Sequence, residues 1–176
     1  MVTCRRHRLP GGSYFFTLAL LDRSSHLLTE RIDDLREAFR SVRADRPFTI
    51  DAIVALPDHL HCIWRLPPGD EDYSMRWREI KARFSRQVPR GESQTQGRTP
   101  QNERGIWQRR FWEHTLRDDR DREKHIDYIH YNPVKHGYVS RVTDWPYSSY
   151  HRFVQLGVYP PDWGGRKSDA GDGFGE

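Results

Sequence analysis

Cysteine is almost missing from this chain: its 176 residues include only two, Cys4 and Cys62. Neither belongs to a CxxC pair, which argues against a zinc ribbon, a dithiol redox centre or a disulfide framework. Both are expected to be free thiols in a reducing compartment. Also missing is any apolar run of the roughly 18 residues that a membrane helix needs. The start, MVTCRRHRLPGG, is basic but has no apolar stretch behind it, so no signal peptide is expected and the cytoplasm is the expected location. No GxxxxGK[ST] phosphate loop occurs, which removes ATP-driven chemistry. No HExxH helix occurs, which removes the common zinc hydrolase arrangement.

Lysine is scarce as well, because 25 of the 29 basic residues are arginine. The planar guanidinium suits phosphate oxygens and stacks on bases, so the bias favours a nucleic-acid partner over a merely solvated surface. The net charge is only +4, but residues 76 to 124 hold 14 basic against 8 acidic residues and so carry +6, leaving −2 for the rest. Hydrophobic residues make up 35% of the chain, and its length is that of one domain able to bury a core unaided.

The pattern along the chain predicts an alternation of strands and helices. YFFTLALL, 14 to 21, reads as a buried strand after the Gly11-Gly12 turn. Ile32, Leu35, Phe39 and Val42 recur at helical spacing, so an amphipathic helix is expected over 30 to 44 with Thr29 as its cap. FTIDAIVAL, 48 to 56, and HLHCIWRL, 59 to 66, form two strands of a hairpin turned at Pro57-Asp58. A second helix follows from Ser74 with Trp77, Ile80, Phe84 and Val88 inward and Arg76, Arg78, Lys81, Arg83 and Arg86 on its other faces. Residues 89 to 105 read as a mobile polar loop, 106 to 116 as a fourth strand, and 118 to 132 as a third helix stopped by Pro133 and Gly137. The domain is expected to span 1 to 153, with a tail at 154 to 176 that is disordered from about 164. This order predicts an α+β ferredoxin-like sandwich, an antiparallel sheet with helices packed on one face and the other face open for a site.

Two groups of residues could carry chemistry. His59 and His61 stand at i and i+2 on a strand, so their side chains emerge about 7 Å apart on one face and could share an ion, or could be buried core histidines. Tyr128 and Asn132 stand four apart on a helix with His125 near the same face. A tyrosine hydroxyl there is either a nucleophile or a satisfied core group.

Four segments in this order, LPDHLHCIW at 56 to 64, GIWQRRFWEHTL at 105 to 116, YIHYNPVKHGYV at 128 to 139 and WPYSSY at 145 to 150, resemble the REP-associated tyrosine transposases. These form a branch of the His-hydrophobic-His (HUH) single-tyrosine, IS200-like superfamily, and the resemblance runs from about residue 12 to 153. It implies a DNA nicking and strand-transfer enzyme in which His59 and His61 hold a divalent metal, Mg²⁺ or Mn²⁺, with Asn132 as a further ligand. It also implies that Tyr128 attacks single-stranded DNA near REP-like hairpins and forms a 5′-phosphotyrosine. Arg76, Arg78, Lys81, Arg83, Arg109, Arg110 and Trp107 are the expected DNA contacts, while Trp77 and Trp112 are expected in the core. Monomer and dimer both fit this reading. Three other readings fit less well. An RRM-like binding module lacks its aromatic signature, and a replication initiator or relaxase usually carries further domains; a histidine-triad hydrolase needs a third histidine where Ile63 stands.

Overall fold

The computed structural model describes residues 8–89 and 104–164. Cys4, almost all of the expected polar loop and the tail after Gly164 lie outside the described residues. Four strands, β1 (Ser13–Ala19), β2 (Thr49–Ala55), β3 (His59–Arg65) and β4 (Trp112–Thr115), form one antiparallel sheet in the order β2-β3-β1-β4. The helices are α1 (Leu27–Glu30), α2 (Ile32–Asp45), α3 (Tyr73–Gln87), α4 (Asp119–Lys135) and α5 (Tyr150–Gln155), with a 3₁₀ turn at Val142–Asp144. This is the expected α+β class with the ferredoxin-like strand order.

Period-two alternation divides the sheet between two cores. Tyr14, Phe16 and Leu18 of β1 and Leu60, Cys62 and Trp64 of β3 point to one face, where α2 and α3 cover them. Trp64 stacks on Trp77 with centroids 4.0 Å apart and on Phe48 at 4.2 Å, so large rings fill this layer. Phe15, Ile63, Ala52 and Val54 point to the other face, against Ile126 and Ile129 of α4 and Tyr150 of α5. The second face is therefore only partly open, because α4 lies across it with its own apolar stripe and carries the tyrosine with it. A register irregularity between Ile50 and Ala52 lets both Ile50 and Ile53 join the first core while Ala52 and Val54 serve the second.

Several boundaries differ from the sequence reading. Asp72, not Ser74, caps α3 by accepting from Met75 N at 3.0 Å, and Thr29 lies inside the short α1. Proline does not stop α4: the helix runs through Pro133 to Lys135, and Gly137 at φ 73° ends it. The last turn is closed by His136 N to Asn132 O and Tyr138 N to Pro133 O, both 3.0 Å, a return only a left-handed residue permits. The fourth strand is shorter than 106 to 116. Regular pairing from Thr17↔Trp112 would set Arg109 opposite Leu20, yet Trp107 stands there, so the chain detours by two residues. Arg109 and Arg110 are exposed on that detour. Past the expected domain limit at 153, α5 continues to Gln155, and Tyr159 and Trp163 stack at 4.3 Å against the second core. These aromatic side chains have apolar area to bury, so the folded domain extends beyond 153.

Candidate active site between the sheet and the fourth helix

Strand β3 sets the two histidines. Alternation sends His59, His61 and Ile63 to the α4 face, and the antiparallel register places His61 opposite Thr17. Both histidines are buried, at 1% and 0% exposure. His59 Nδ1 lies 2.8 Å from Asp58 Oδ1, and His61 Nδ1 lies 2.8 Å from Thr17 Oγ1. With Nδ1 engaged by these oxygens, any further contact of either ring's nitrogens falls to Nε2. His59 Nε2 is buried with no hydrogen-bond partner in the structure. An ion would resolve that otherwise costly atom, and the donor set fits one.

The electrostatics agree. Burial is the main influence on His59 and lowers its pKa, holding the ring neutral as a ligand must be, although Asp58 pulls the other way. Burial would raise the Asp58 pKa, yet hydrogen bonds from His59 and Arg23 outweigh it and hold this carboxyl below the usual range. Asp58 thus stays ionised behind His59, a role that turn chemistry alone does not reveal because Pro-Asp reads simply as a hairpin corner.

Helix α4 brings its residues over this pair. Tyr128 is half-buried, with its ring 5.2 Å from His61 and 6.0 Å from Phe15. Lys135 sets its ammonium 5.0 Å from the same ring. Asn132, one turn on, is fully buried. Tyr131 packs against the second core, with no ring contact to either histidine among the described residues. His136 also reaches the site: its ring centroid is 5.1 Å from that of His59. Sequence spacing could have placed His136 here, since Tyr128, Asn132 and His136 step by four along one helix face.

Residues 12–132 match the family described as Transposase IS200 like, which is more than half of the chain. The chain belongs to the IS200-like transposase family. A REP-associated tyrosine transposase of Escherichia coli (strain K12) is 48% identical over 165 residues, covering 94% of this chain and 92% of that protein. A relative from Haemophilus influenzae is 49% identical over 166 residues, 94% of either chain. A solved structure of a REP-associated tyrosine transposase bound to a REP hairpin superposes with a TM-score of 0.84 at 48% identity, covering 96% of this chain and 94% of that one. These relatives are enzymes.

Membership in this family suggests metal use, as does a second group, His114, Asp121 and His125, whose ligand atoms lie within 4.8 Å of one another. This group is already a hydrogen-bonded clamp. His114 Nε2 lies 2.9 Å from Asp121 Oδ2, and His125 Nδ1 lies 2.8 Å from the Asp121 carbonyl oxygen. The two rings stack at 4.9 Å with planes 14° apart. His59 and His61 stand 5.1 Å apart with planes at 85°.

The expected DNA contacts divide sharply. Arg76 is 3% exposed and binds Asp70 at 2.6 Å together with the carbonyls of Pro47 and Asp72, so it holds the loops together and cannot reach a phosphate. Arg83 is tied to Asp45 at 2.5 Å and to Ser41, and Lys81 donates to Gln108 O at 2.8 Å, so both brace α3. Arg78, Arg109 and Arg110 are exposed. Arg78, Arg86, Arg109 and Trp107 line a groove of about 700 Å³ between α3 and the segment before β4. Trp107 is half-buried against Phe84 at 5.5 Å, and Trp77 is core as expected. Trp112 is not core. At 36% exposure it lies on edge strand β4, stacked on His114. No helix among the described residues is long and apolar enough to cross a membrane.

Proposed function

We propose that this chain is a metal-dependent nicking and strand-transfer enzyme that cuts single-stranded DNA beside REP-like hairpins, acting in the cytoplasm with Tyr128 as nucleophile. The observation that carries the reading is the meeting of Tyr128 with His61 at 5.2 Å, beside a buried His59 nitrogen without a partner. His59 and His61 would hold Mg²⁺ or Mn²⁺ through Nε2, with the Asn132 side-chain oxygen as a further ligand. When bound, the ion supplies Lewis-acid polarisation of the scissile phosphate.

The protein's own residues account for the rest. Asp58 and Thr17 fix the two imidazoles, and Phe15 backs both His61 and Tyr128. The Tyr128 oxygen forms a bond to phosphorus as the bond from phosphorus to the 3′ oxygen breaks. The phenol proton leaves to solvent and the departing oxygen gains one, giving a 5′-phosphotyrosine and a 3′-hydroxyl. The phosphoester is retained on the enzyme, so rejoining needs no nucleotide cofactor. Arg78, Arg109, Arg110 and Trp107 are the proposed strand contacts, through phosphate charge and base stacking.

The test is incubation with labelled hairpin-bearing single-stranded DNA, with and without Mn²⁺, followed by peptide mapping of any covalent adduct. Tyr128→Phe should lose both cleavage and adduct, while Tyr131→Phe should keep both. An adduct on Tyr131 would overturn the assignment.

A further inference from the structure

Away from His59 and His61, three side chains from two elements bring their donor atoms together. His114 lies on the edge strand β4, while Asp121 and His125 stand one turn apart on α4. One donor atom from each lies within 4.8 Å of the other two. The Asp121 carboxylate sits between the rings: Oδ2 is 2.9 Å from His114 Nε2, and Oδ1 is 3.3 Å from His125 Nδ1. Two ligand atoms each about 2.05 Å from a shared ion are about 2.9 Å apart at a right angle and about 3.3 Å apart at the tetrahedral angle. Both nitrogen–oxygen separations are of that size.

The surroundings suit a ligand set. Asp121 is 8% exposed and His125 4%, whereas the His114 side chain is 28% exposed and opens the group to solvent. Burial would raise the Asp121 pKa, yet hydrogen bonds from His114 and the Arg117 backbone outweigh it and keep the carboxylate ionised. Burial lowers the His125 pKa and holds that ring neutral. Arg117 N donates to Asp121 Oδ2 at 3.1 Å, the kind of outer bond that orients a ligating carboxylate. The Arg117 guanidinium, 3.4 Å from the same oxygen, is 76% exposed and can turn into solvent when a cation binds.

We infer that His114, Asp121 and His125 form a second metal site, separate from His59 and His61, for an ion of the zinc class. Two imidazoles and one carboxylate make a three-ligand zinc set whose fourth position goes to water on the solvent side. Mg²⁺, which favours oxygen and keeps its waters, fits this set poorly. In the metal-free protein ring protons occupy these contacts, and His125 Nδ1–H donates to the Asp121 carbonyl oxygen at 2.8 Å. The ion takes the place of those protons, which pass to the opposite ring nitrogens. Bound there, it ties β4 to α4 just before Tyr128, and Phe15 touches both His125, at 4.7 Å, and Tyr128, at 6.0 Å. The site therefore braces the helix that carries Tyr128.

Zn²⁺ titration of the metal-stripped full chain against a chromophoric chelator tests this, with Co²⁺ absorption reporting four-coordinate geometry. The His59→Ala, His61→Ala double variant should still bind one Zn²⁺ per chain, show the four-coordinate Co²⁺ band, and melt higher with Zn²⁺ than in chelator. Excess Mg²⁺ should not displace the ion. Adding His114→Gln, which keeps a donor toward Asp121 but removes the imidazole, should weaken Zn²⁺ binding about a hundredfold or more and abolish both the band and the melting shift. Asp121→Asn on the same background should do the same, and melts in chelator report whether each variant is folded. No Zn²⁺ bound by the folded double variant, or equal affinity before and after both added substitutions, would overturn the second site and leave the group a hydrogen-bonded clamp. Because the double variant lacks His59 and His61, that failure would not touch the ion proposed there.

Discussion

Truncating Arg76 separates a structural arginine from the exposed ones proposed to contact DNA. Its side chain is 4% exposed, and its guanidinium meets Asp70 twice, at 2.6 and 3.1 Å, plus the carbonyls of Pro47, Asp72 and Arg46 at 2.9 to 3.3 Å. Hydrogen bonds to a charged group contribute about 1.5–3 kcal/mol each, and breaking a buried pair costs about 3–5 kcal/mol. Asp70 is 31% exposed and can regain water, so Arg76→Ala should cost about 3 kcal/mol, at the low end. For a domain of this size that is a melting-point drop of about 6–12 °C.

Charge linkage sharpens the test. The Arg76 hydrogen bond is the main reason the Asp70 carboxyl sits below its ordinary pKa, so its stabilisation is present above the unfolded value near 3.8 and is lost as pH falls through the folded one. The gap between parent and variant should therefore be full at pH 7 and narrow in acid. Calorimetry across pH, paired with fluorescence anisotropy of single-stranded DNA over a salt series, reads both quantities. Arg78→Ala should do the reverse, with an unchanged melting point and a salt slope reduced by about 0.7. If Arg76→Ala melts within about 2 °C of the parent but binds DNA with a reduced slope, the structural assignment fails.

Replacing both His59 and His61 by Ala should abolish cleavage while leaving most DNA affinity, because phosphate contacts dominate binding; cleavage by that variant in chelator would refute the metal role. Asp58→Asn should weaken Mn²⁺ binding by about 10–100-fold, since the carboxylate at 2.8 Å orients His59, and an unchanged titration would remove it from the site. His130, buried among Tyr150, Phe153 and Tyr159, has its pKa lowered by burial to about 3. The unfolded chain binds a proton there below about pH 6.5, so stability should fall by about 2 kcal/mol between pH 6.5 and 5 through this group alone. Thermal melts of His130→Gln should show a shallower acid slope, and an equal slope would exclude the ring as its source.

Local pattern determined a good deal of this protein. Alternation in HLHCIWR requires His59 and His61 to share a face whatever the sheet packs against, because successive side chains on a strand point oppositely. Likewise, spacing by four aligns Tyr128 with Asn132, and the apolar periods of α2 and α3 define their buried sides. The division of labour among the arginines was not legible. Arg76 and Arg78 are two residues apart on one helix, and only packing puts Asp70 and three carbonyls around the first while leaving the second in solvent.

The helix end and the site's wider membership were decided at the tertiary level. Pro133 lacks an N–H, which from sequence ends a helix, but burial of Pro133 and the turn closed at Gly137 carry α4 one turn further. That extra turn is what delivers His136 to within 5.1 Å of His59. Asp58 read as a corner residue until the hairpin turned its carboxylate back onto His59, and Thr17 met His61 only through the β1–β3 register. Periodicity specifies which side of an element a residue occupies. Which element lies opposite, and hence whether a histidine meets a carboxylate, a hydroxyl or a tyrosine, depends on contacts distant in sequence, and those exist only once the sheet and α4 have packed together.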